Sequence, residues 1–333
     1  MKVSQPFALH VKLRLVIEPL SFVLNVVKTW FGQMNSKDAP QKLRPYLFHG
    51  IDLGTPSNSE AVGDCPFCDK SNKFSVNEDT GKWKCWSGSC GESGNIWTFL
   101  RKFHVLCFEA TTVEDYKSLA VDRDLYKTES LVQWQIVKSI TTDEWLIPGY
   151  GVQKREITSL YRYIKQRDGG YRLLPTPTLG HHLHGLNLWN TQAPIVYVTE
   201  GPWDAVSLWE ALGSAKNCHE GGLCSTASRE SSLLAQANVI AVPGCEVFFE
   251  TWTPLLEGKT VTLVYDSDHP RKHPKTGKIS DGAGIRAVKK VANLLIESKH
   301  KPFEVNYLKW GEGGYDPSRK SGFDVSDLLT KGI

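Results

Sequence analysis

The sequence predicts an α/β fold, in which a parallel β-sheet flanked by helices follows a small all-β domain built around a metal ion. Three observations in the 333 residues support this prediction. Four of the eight cysteines form two close pairs in the first third of the chain. Beyond residue 190, short apolar runs alternate with amphipathic helical patterns, as they do in βαβ units. Two of these apolar runs lead directly into carboxylates.

Composition places the chain among globular proteins. Hydrophobic residues make up 41% of it and aromatic residues 11%, which is enough to bury a sizeable core. Lys and Arg number 39 and Asp and Glu 36, so the net charge is close to zero. Any contact with nucleic acid must therefore be local rather than a property of the whole surface.

The first 33 residues form an apolar segment that gives way to the polar stretch QMNSKDAPQK. Charges at Arg14, Glu18 and Lys28 leave no run near the ~20 apolar residues of a spanning helix. The small-residue cleavage pattern of a signal peptide is also missing. We therefore expect a cytoplasmic protein without membrane contact. The segment is either a short packing helix or an accessory before an alternative start at Met34.

The paired cysteines form the most specific motif. Two residues separate Cys65 from Cys68, four separate Cys85 from Cys90, and sixteen lie between the pairs. In a reducing compartment such clusters favour metal over disulfides, and zinc takes four thiolates in a tetrahedron. The spacing predicts a zinc ribbon with one structural Zn²⁺, rather than four free thiols in a small core. We expect ordinary buried thiols at the other four cysteines: Cys107, Cys218, Cys224 and Cys245.

Aromatic and basic residues lie between the two cysteine pairs. Aromatic faces can stack on bases while lysines neutralise phosphates, so the ribbon could bind single-stranded nucleic acid through Lys73, Lys84 and Trp86. The alternative is that the aromatic residues form the ribbon's own small core. We favour this alternative for Phe74 and Trp83.

Carboxylates mark the carboxyl ends of the later apolar runs. VTLVY leads into Asp266 and Asp268, IVYVT leads into Glu200, and GFDVSDLL places Asp324 and Asp327 at a predicted helix start. In open α/β sheets reactive groups gather at the carboxyl ends of the strands. We therefore expect the first three carboxylates to meet at one edge of the sheet.

A cluster of hard oxygen ligands suits Mg²⁺ or Mn²⁺, which relieves the mutual repulsion and can bind phosphate oxygens. Each acid taken alone has a simpler alternative as a helix cap or a solvated charge. Asp204, in the first turn of the helix after Glu200, and Asp327 could simply favour a helix dipole.

Together these motifs resemble a known family. Glu200-Gly201, NVIAVPG, Asp266-x-Asp268 and FDVSDLL are similar to the TOPRIM core of bacterial-type primases, type I topoisomerases and some nucleases. A four-cysteine ribbon before that core resembles specifically the primases of bacteria and bacteriophages, over roughly residues 43 to 330. The resemblance implies an α/β TOPRIM core that joins ribonucleoside triphosphates into short RNA primers on single-stranded DNA. It implies that the catalytic, magnesium-binding carboxylates are Glu200, Asp266, Asp268 and Asp324. Asp204 and Asp327 are further candidates.

The resemblance also suggests four regions along the chain. These are an N-terminal extension (1–33), a zinc-ribbon domain (34–104), a basic N-terminal portion of the RNA polymerase domain (105–190) and the TOPRIM domain (191–333). In the third region, ITSLYRYIKQRDGGYRLL predicts a hairpin with its turn at residues 168–170. Phage primases resemble this arrangement of basic strands facing the acidic cluster, which implies substrate contacts by Arg162, Lys165 and Arg172. Arg162 and Lys165 should point to opposite faces if no bulge intervenes.

Two features depart from the family pattern. The second cysteine pair has four intervening residues where two are usual. Asp268 is followed by HPRKHPKTGKISDGAG, an inserted basic loop after which Gly282 or Gly284 resumes the pattern. The four cations of the loop either meet triphosphate or template, or belong to a solvated surface hairpin.

Two other functions remain as alternatives to primer synthesis. One is a TOPRIM-type nuclease, and the other is a non-catalytic recombination protein that binds DNA. A topoisomerase would need a large extra domain with a nucleophilic tyrosine. The sequence lacks the G-x-x-x-x-G-K-[ST] motif of a helicase motor, so we expect a separate replicative helicase, from a phage or mobile element, as partner.

Overall fold

The first sheet is the predicted ribbon. A short helix, α1 (Arg44–Phe48), precedes four antiparallel strands that pair in sequence order. They are β1 (Glu60–Gly63), β2 (Phe74–Asn77), β3 (Trp83–Cys85) and β4 (Ser93–Gly94). The cysteine pairs flank β2 and β3, so the pairing of these two strands brings the two knuckles together.

The computed structural model describes residues 38–125, 127–167, 170–214 and 233–331. The N-terminal segment 1–33, the turn at Asp168 and Gly169, and the thiols Cys218 and Cys224 lie outside these residues. None of the helices in the described ranges combines the length and the hydropathy that a membrane span requires.

Three helices follow the ribbon: α2 (Ile96–Ala110), α3 (Val113–Asp122) and α4 (Thr128–Gln133). At the start of α2 the side chain of Asn95 accepts a hydrogen bond from the Thr98 amide, and the Thr98 hydroxyl accepts one from the Asn95 amide. Thr112 and Asp115 form the same reciprocal cap on α3. Such caps satisfy amides that have no partner in the first helical turn.

The second sheet contains the predicted basic hairpin. Its antiparallel strands pair in sequence order and are β5 (Val137–Lys138), β6 (Trp145–Tyr150), β7 (Ile157–Lys165) and β8 (Tyr171–Leu174). β7 and β8 pair Arg162 with Leu174 and Lys165 with Tyr171, as the hairpin prediction requires. Successive side chains of a strand point to opposite faces of the sheet. Because Arg162 and Lys165 are three residues apart on β7, they face opposite sides of this sheet.

The third sheet is parallel and confirms the predicted α/β core. Its strands are β9 (Ile195–Thr199), β10 (Ala237–Ala241), β11 (Thr260–Val264) and β14 (Glu304–Tyr307), in the order β10-β9-β11-β14. The helices of this part are α5 (Pro202–Ser214), α6 (Ala283–Glu297) and α7 (Val325–Lys331). The inserted loop forms a separate hairpin of β12 (Arg271–Lys272) and β13 (Ile279–Ser280). Together with the ribbon, this is the arrangement predicted for a TOPRIM-like core behind a zinc-binding domain.

One hydrophobic core runs from the ribbon to the parallel sheet. It contains Phe74 of β2, Phe99 and Phe103 of α2, Leu160 of β7 and Val198 of β9. The predicted boundary between residues 104 and 105 falls inside α2, so a division there would cut one helix in two. Ribbon and middle sheet therefore share a helix and a core.

Candidate metal centres

The four cysteines of the ribbon form a cluster of the size that one tetrahedral metal site requires. Their sulfur atoms all lie within 4.8 Å of one another, and the Sγ atoms of Cys68 and Cys85 are 3.7 Å apart. Four thiolates about 2.3 Å from one zinc ion would be roughly 3.8 Å apart, so the spacing fits zinc. The wider second knuckle still delivers Cys90 to the cluster, because the chain turns before it: the amides of Cys90 and Gly91 donate to the carbonyl of Ser87 at 3.1 and 2.8 Å.

The aromatic residues of the ribbon divide between core and surface. Phe74 and Trp83 are fully buried and their rings stack 5.5 Å apart, which confirms the core interpretation for both. Trp86 is 61% exposed, and the Lys84 ammonium lies 4.0 Å from the centre of its ring. Lys73 is exposed as well. These last three residues thus keep surfaces that a nucleic acid could reach.

The carboxylates at the ends of β9 and β11 meet because these strands are neighbours. Thr199 pairs with Val264 in parallel register, so Glu200 and Asp266 leave the same edge of the sheet. The Asp266 amide donates a hydrogen bond of 3.5 Å to Oε2 of Glu200. The structure thus places Glu200 and Asp266 at the same edge of the sheet, and Asp268 follows Asp266 two residues later.

A long-range backbone bridge brings Asp324 to the same place. The Ser267 amide, between the two aspartates that follow β11, donates a 2.8 Å hydrogen bond to the carbonyl of Phe323. Asp324 is the next residue after Phe323, so this pairing places it beside those aspartates. Oδ1 of Asp324 accepts the Asp327 amide at 2.7 Å.

The two further candidates differ in where their carboxylates lie. Asp204 is buried and accepts a 3.2 Å hydrogen bond from the Ser326 hydroxyl, which ties α5 to α7 beside Asp324. The carboxylate of Asp327 forms an ion pair of 3.4 Å with Lys320. Asp204 therefore adds to the cluster, whereas Asp327 contributes its backbone amide to it.

Two glycines allow the chain to pass close behind the aspartates. A Cβ atom on Gly282 would lie 1.9 Å from the carbonyl oxygen of Asp268, and one on Gly284 would lie 2.2 Å from that of Asp266. The Gly284 amide also donates a 3.0 Å hydrogen bond to Oδ2 of Asp268. The sequence named Gly282 and Gly284 as the positions where the family pattern could resume. Both must be glycine here, because the backbone of the aspartates leaves no room for a side chain.

Burial and mutual repulsion disfavour charge on this cluster. Burial, and then the charge of Asp268, raises the pKa of Glu200 to about 7. Burial, and then the charge of Asp324, raises the pKa of Asp204 to about 8. Burial, and then the charge of Glu200, raises the pKa of Asp266 to about 10. Buried carboxylates that repel one another are the oxygen donors that a divalent cation would stabilise.

Sequence reasoning missed one cation beside the cluster, Arg123 at the end of α3. Its guanidinium lies 4.8 Å from the Trp203 ring and donates a 2.8 Å hydrogen bond to the hydroxyl of Tyr163. Its charge also acts to lower the pKa values of Asp204 and Asp324. No local motif marks this arginine, because only the packing of α3 against α5 and β7 brings it near.

The three basic residues predicted on the second sheet do not share one surface. The guanidinium of Arg162 pairs with the Glu144 carboxylate and donates a 2.6 Å hydrogen bond to the carbonyl of Phe48. Arg172 is exposed on the same face of the sheet. Lys165 is exposed on the opposite face of the sheet. Tyr163 lies on that face too, and its ring contacts Trp203 of α5. Of the three, Lys165 lies on the face that packs toward α5, the helix that carries Asp204.

Comparison with known proteins identifies the ribbon. Residues 50–130 match the CHC2 zinc finger family, the zinc ribbon of DnaG-type primases. This part of the chain is similar to a primase-type zinc ribbon. The match agrees with the predicted resemblance to bacterial and bacteriophage primases and with the zinc assigned to the four cysteines. No curated protein matches the chain.

Solved structures of primases show a distant likeness over more of the chain. The zinc-binding and RNA polymerase domains of the Aquifex aeolicus primase are 16% identical, with 87% of this chain and 80% of that one covered and a TM-score of 0.35. The primase fragment of the bacteriophage T7 primase-helicase protein is 15% identical, with 81% and 94% covered and a TM-score of 0.40. The parallel sheet order β10-β9-β11-β14 and the four-cysteine cluster of this chain define its α/β core and its ribbon.

Proposed function

We propose that this protein is a DNA primase, which synthesises short RNA primers from ribonucleoside triphosphates on a single-stranded DNA template. The observation that carries the proposal is that a primase-type zinc ribbon and a buried carboxylate cluster, at the carboxyl edge of a parallel sheet, belong to parts of one chain that share a hydrophobic core. The ribbon supplies a nucleic-acid-binding module, and the cluster supplies oxygen ligands for Mg²⁺ or Mn²⁺.

In this proposal Glu200, Asp266, Asp268 and Asp324 hold the catalytic metal ions. Bound there, Mg²⁺ or Mn²⁺ would neutralise the triphosphate and the charge that develops on the attacking and leaving oxygens. The protein residues orient these ligands. Asp268 is fixed by the Gly284 amide, and Asp324 is fixed by the Asp327 amide.

The nucleic acid would contact the remaining exposed cations. Lys73 and Lys84 of the ribbon, with the face of Trp86, form one contact surface. Lys165 and Arg172 flank the second sheet. We propose Lys165 for the substrate groove, and Arg162 as a structural link between β7 and the carboxyl end of α1. A separate replicative helicase remains the expected partner.

The test is incubation of the purified protein with single-stranded DNA, Mg²⁺ and labelled ribonucleotides. Template-dependent oligoribonucleotides are expected as products. Degradation of the DNA without synthesis would instead indicate the nuclease, and DNA binding without either product would indicate the recombination protein.

Variants of the cluster link the products to this site. Asp266→Asn and Asp268→Asn are expected to fold and to lose primer synthesis by orders of magnitude, because each removes a charged ligand. Asp124→Asn is the matched control: this aspartate is exposed and has a φ of +52°, which asparagine also tolerates. Substantial synthesis by a well-folded Asp266→Asn protein would refute the assignment.

A further inference from the structure

An exposed basic hairpin lies between Asp268 and α6. Its strands pair Arg271 with Ser280 and Lys272 with Ile279, and every residue from 270 to 281 is exposed. Its one acidic residue, Asp281, forms a 2.6 Å ion pair with Lys289 of α6. Across the described ranges, no ion pair joins an acid to any of its four cations: Arg271, Lys272, Lys275 and Lys278.

The tip of the hairpin is ordered by its own hydrogen bonds. Nδ1 of His273 accepts the amides of Lys275 at 3.3 Å and Thr276 at 3.2 Å. The backbone of His273 donates to the carbonyl of Lys278 and accepts the Gly277 amide, both at 2.9 Å. Backbone pairing of this kind holds the cations in a fixed pattern although no acid neutralises them.

The base of the hairpin is anchored at the carboxylate cluster. The amide of His269 donates a 3.0 Å hydrogen bond to the Ser321 hydroxyl, and its Nε2 lies 3.2 Å from the carbonyl of Asp316. The His269 ring also packs 5.0 Å from that of Tyr315. Since Asp268 precedes this anchor directly, the hairpin projects from the edge of the sheet where the carboxylates meet.

We propose that this hairpin binds the phosphate backbone of single-stranded template DNA beside the carboxylate cluster. Unpaired arginine and lysine side chains attract phosphates without regard to base sequence. Arg271 and Lys272 lie on β12, Lys275 lies in the turn and Lys278 directly precedes β13, so the four cations are spread along the hairpin. Cations spread in this way suit successive phosphates of a strand better than a single triphosphate. The inference rests on the proposed function for the identity of the polyanion, and it adds a template contact in a segment that departs from the family pattern.

The experiment compares two double variants of the full chain. Lys275→Ser with Lys278→Ser removes two cations from the hairpin. Lys299→Ser with Lys301→Ser removes two exposed lysines that precede β14, at the amino end of the parallel sheet and so at the edge opposite the carboxylates. Binding of a fluorescent single-stranded DNA of mixed sequence is measured by anisotropy over a range of salt concentrations.

A plot of log affinity against log salt concentration has a negative slope, of about 0.7 per phosphate contact for single strands. Loss of two contacts should therefore make this slope shallower by about 1.4. If the variant and the unaltered protein bind equally at about 1 M salt, this difference in slope corresponds to a roughly 25-fold weaker affinity of the variant at about 0.1 M salt. The control variant should keep the slope and affinity of the unaltered protein. Equal slopes and affinities for the two double variants, both folded by circular dichroism, would overturn the proposal.

A second arm distinguishes template from nucleotide. The KM for ATP at saturating template should not change in the hairpin variant. A raised KM for ATP with unchanged DNA affinity would place a triphosphate at the hairpin and overturn the template assignment. Because the binding assay needs no synthesis, a hairpin-dependent affinity supports the inference even if the unaltered protein makes no primers, an outcome that would refute the proposed function alone.

Discussion

Ser267 and Phe323 are joined through their backbones by a hydrogen bond of 2.8 Å, although they lie far apart in the sequence. The amide of Gly322 donates a second bond of 3.0 Å to the carbonyl of Ser267. This bridge holds Asp324 beside the aspartates that follow β11. The geometry of the carboxylate cluster therefore depends on backbone packing as much as on the acids themselves.

Replacement of Gly284 by alanine should distort the cluster without changing a single charge. The new Cβ would lie 2.2 Å from the carbonyl oxygen of Asp266, so that segment has to shift. We expect a loss of stability of about 1–3 kcal/mol, typical of overpacking, and a large loss of primer synthesis. Urea denaturation and the priming assay measure the two effects. Gly54→Ala is the control, because its Cβ would meet only an ordinary contact at 3.5 Å; equal behaviour of the two variants would refute the prediction.

The metal-free protein should become less stable as the pH rises through 6 to 8. Burial raises the pKa values of Glu200 to about 7 and Asp204 to about 8, so the folded state holds protons that the unfolded state has already released. Each such group stabilises the fold below its unfolded pKa, and that contribution is lost as the pH rises through its folded pKa. The slope is at most about 1.4 kcal/mol per pH unit for each proton.

Melting curves between pH 6 and 8, with and without Mg²⁺, test this dependence. Mg²⁺ should restore stability at the upper end, because it binds the ionised cluster. Asp204→Asn should flatten the metal-free slope, since it removes one titrating group. An identical slope in this variant would contradict the assignment of the effect to the cluster.

One zinc ion per chain is expected in protein purified without chelators. Cys85→Ser should reduce the zinc content and impair template-dependent initiation more than extension of a supplied primer. Because Phe99 of α2 packs 6.1 Å from Phe74 of the ribbon and 5.5 Å from Phe103, loss of zinc should also increase hydrogen exchange in α2. Cys107→Ala removes a buried thiol outside the four-sulfur cluster and should retain zinc. Elemental analysis that finds no zinc in the unaltered protein would remove the metal from the ribbon.

Arg123→Gln should shift metal binding to higher pH. The arginine charge opposes protonation of Asp204 and Asp324, so its removal raises their pKa values and lets protons compete longer with the metal. Calorimetric titration with Mn²⁺ at several pH values measures the shift. Lys117→Gln, an exposed change on the same helix, is the control and should leave the profile in place. A profile unchanged in Arg123→Gln would show that the arginine does not act on the cluster.

Arg162→Ala should destabilise the protein rather than weaken template binding. It removes the ion pair with Glu144 and the hydrogen bond to Phe48, in a partly buried setting, at a cost of about 1–3 kcal/mol. A double-mutant cycle with Glu144→Ala, measured by urea denaturation, isolates the pair. Normal stability combined with weakened DNA binding would instead return Arg162 to the substrate groove.

Features that depend on local spacing could be predicted from the amino-acid sequence alone. The intervals between Cys65, Cys68, Cys85 and Cys90 predicted the zinc ribbon, because two tight knuckles on paired strands bring four sulfurs within reach of one ion. Alternating apolar runs predicted the parallel sheet. Carboxylates directly after two of those runs predicted the acidic edge, because the carboxyl ends of neighbouring parallel strands coincide.

Which side chains share a site depends on long-range packing. Asp204 and Asp327 looked alike in sequence, since each lies in the first turn of a helix. Only the packing of α5 against α7 turns the Asp204 carboxylate into the cluster, while that of Asp327 reaches Lys320. Arg123 lies beside the acids and Arg162 pairs with Glu144 for the same reason. Strand alternation tells which face a residue occupies, but the partner on that face comes from residues distant in the chain.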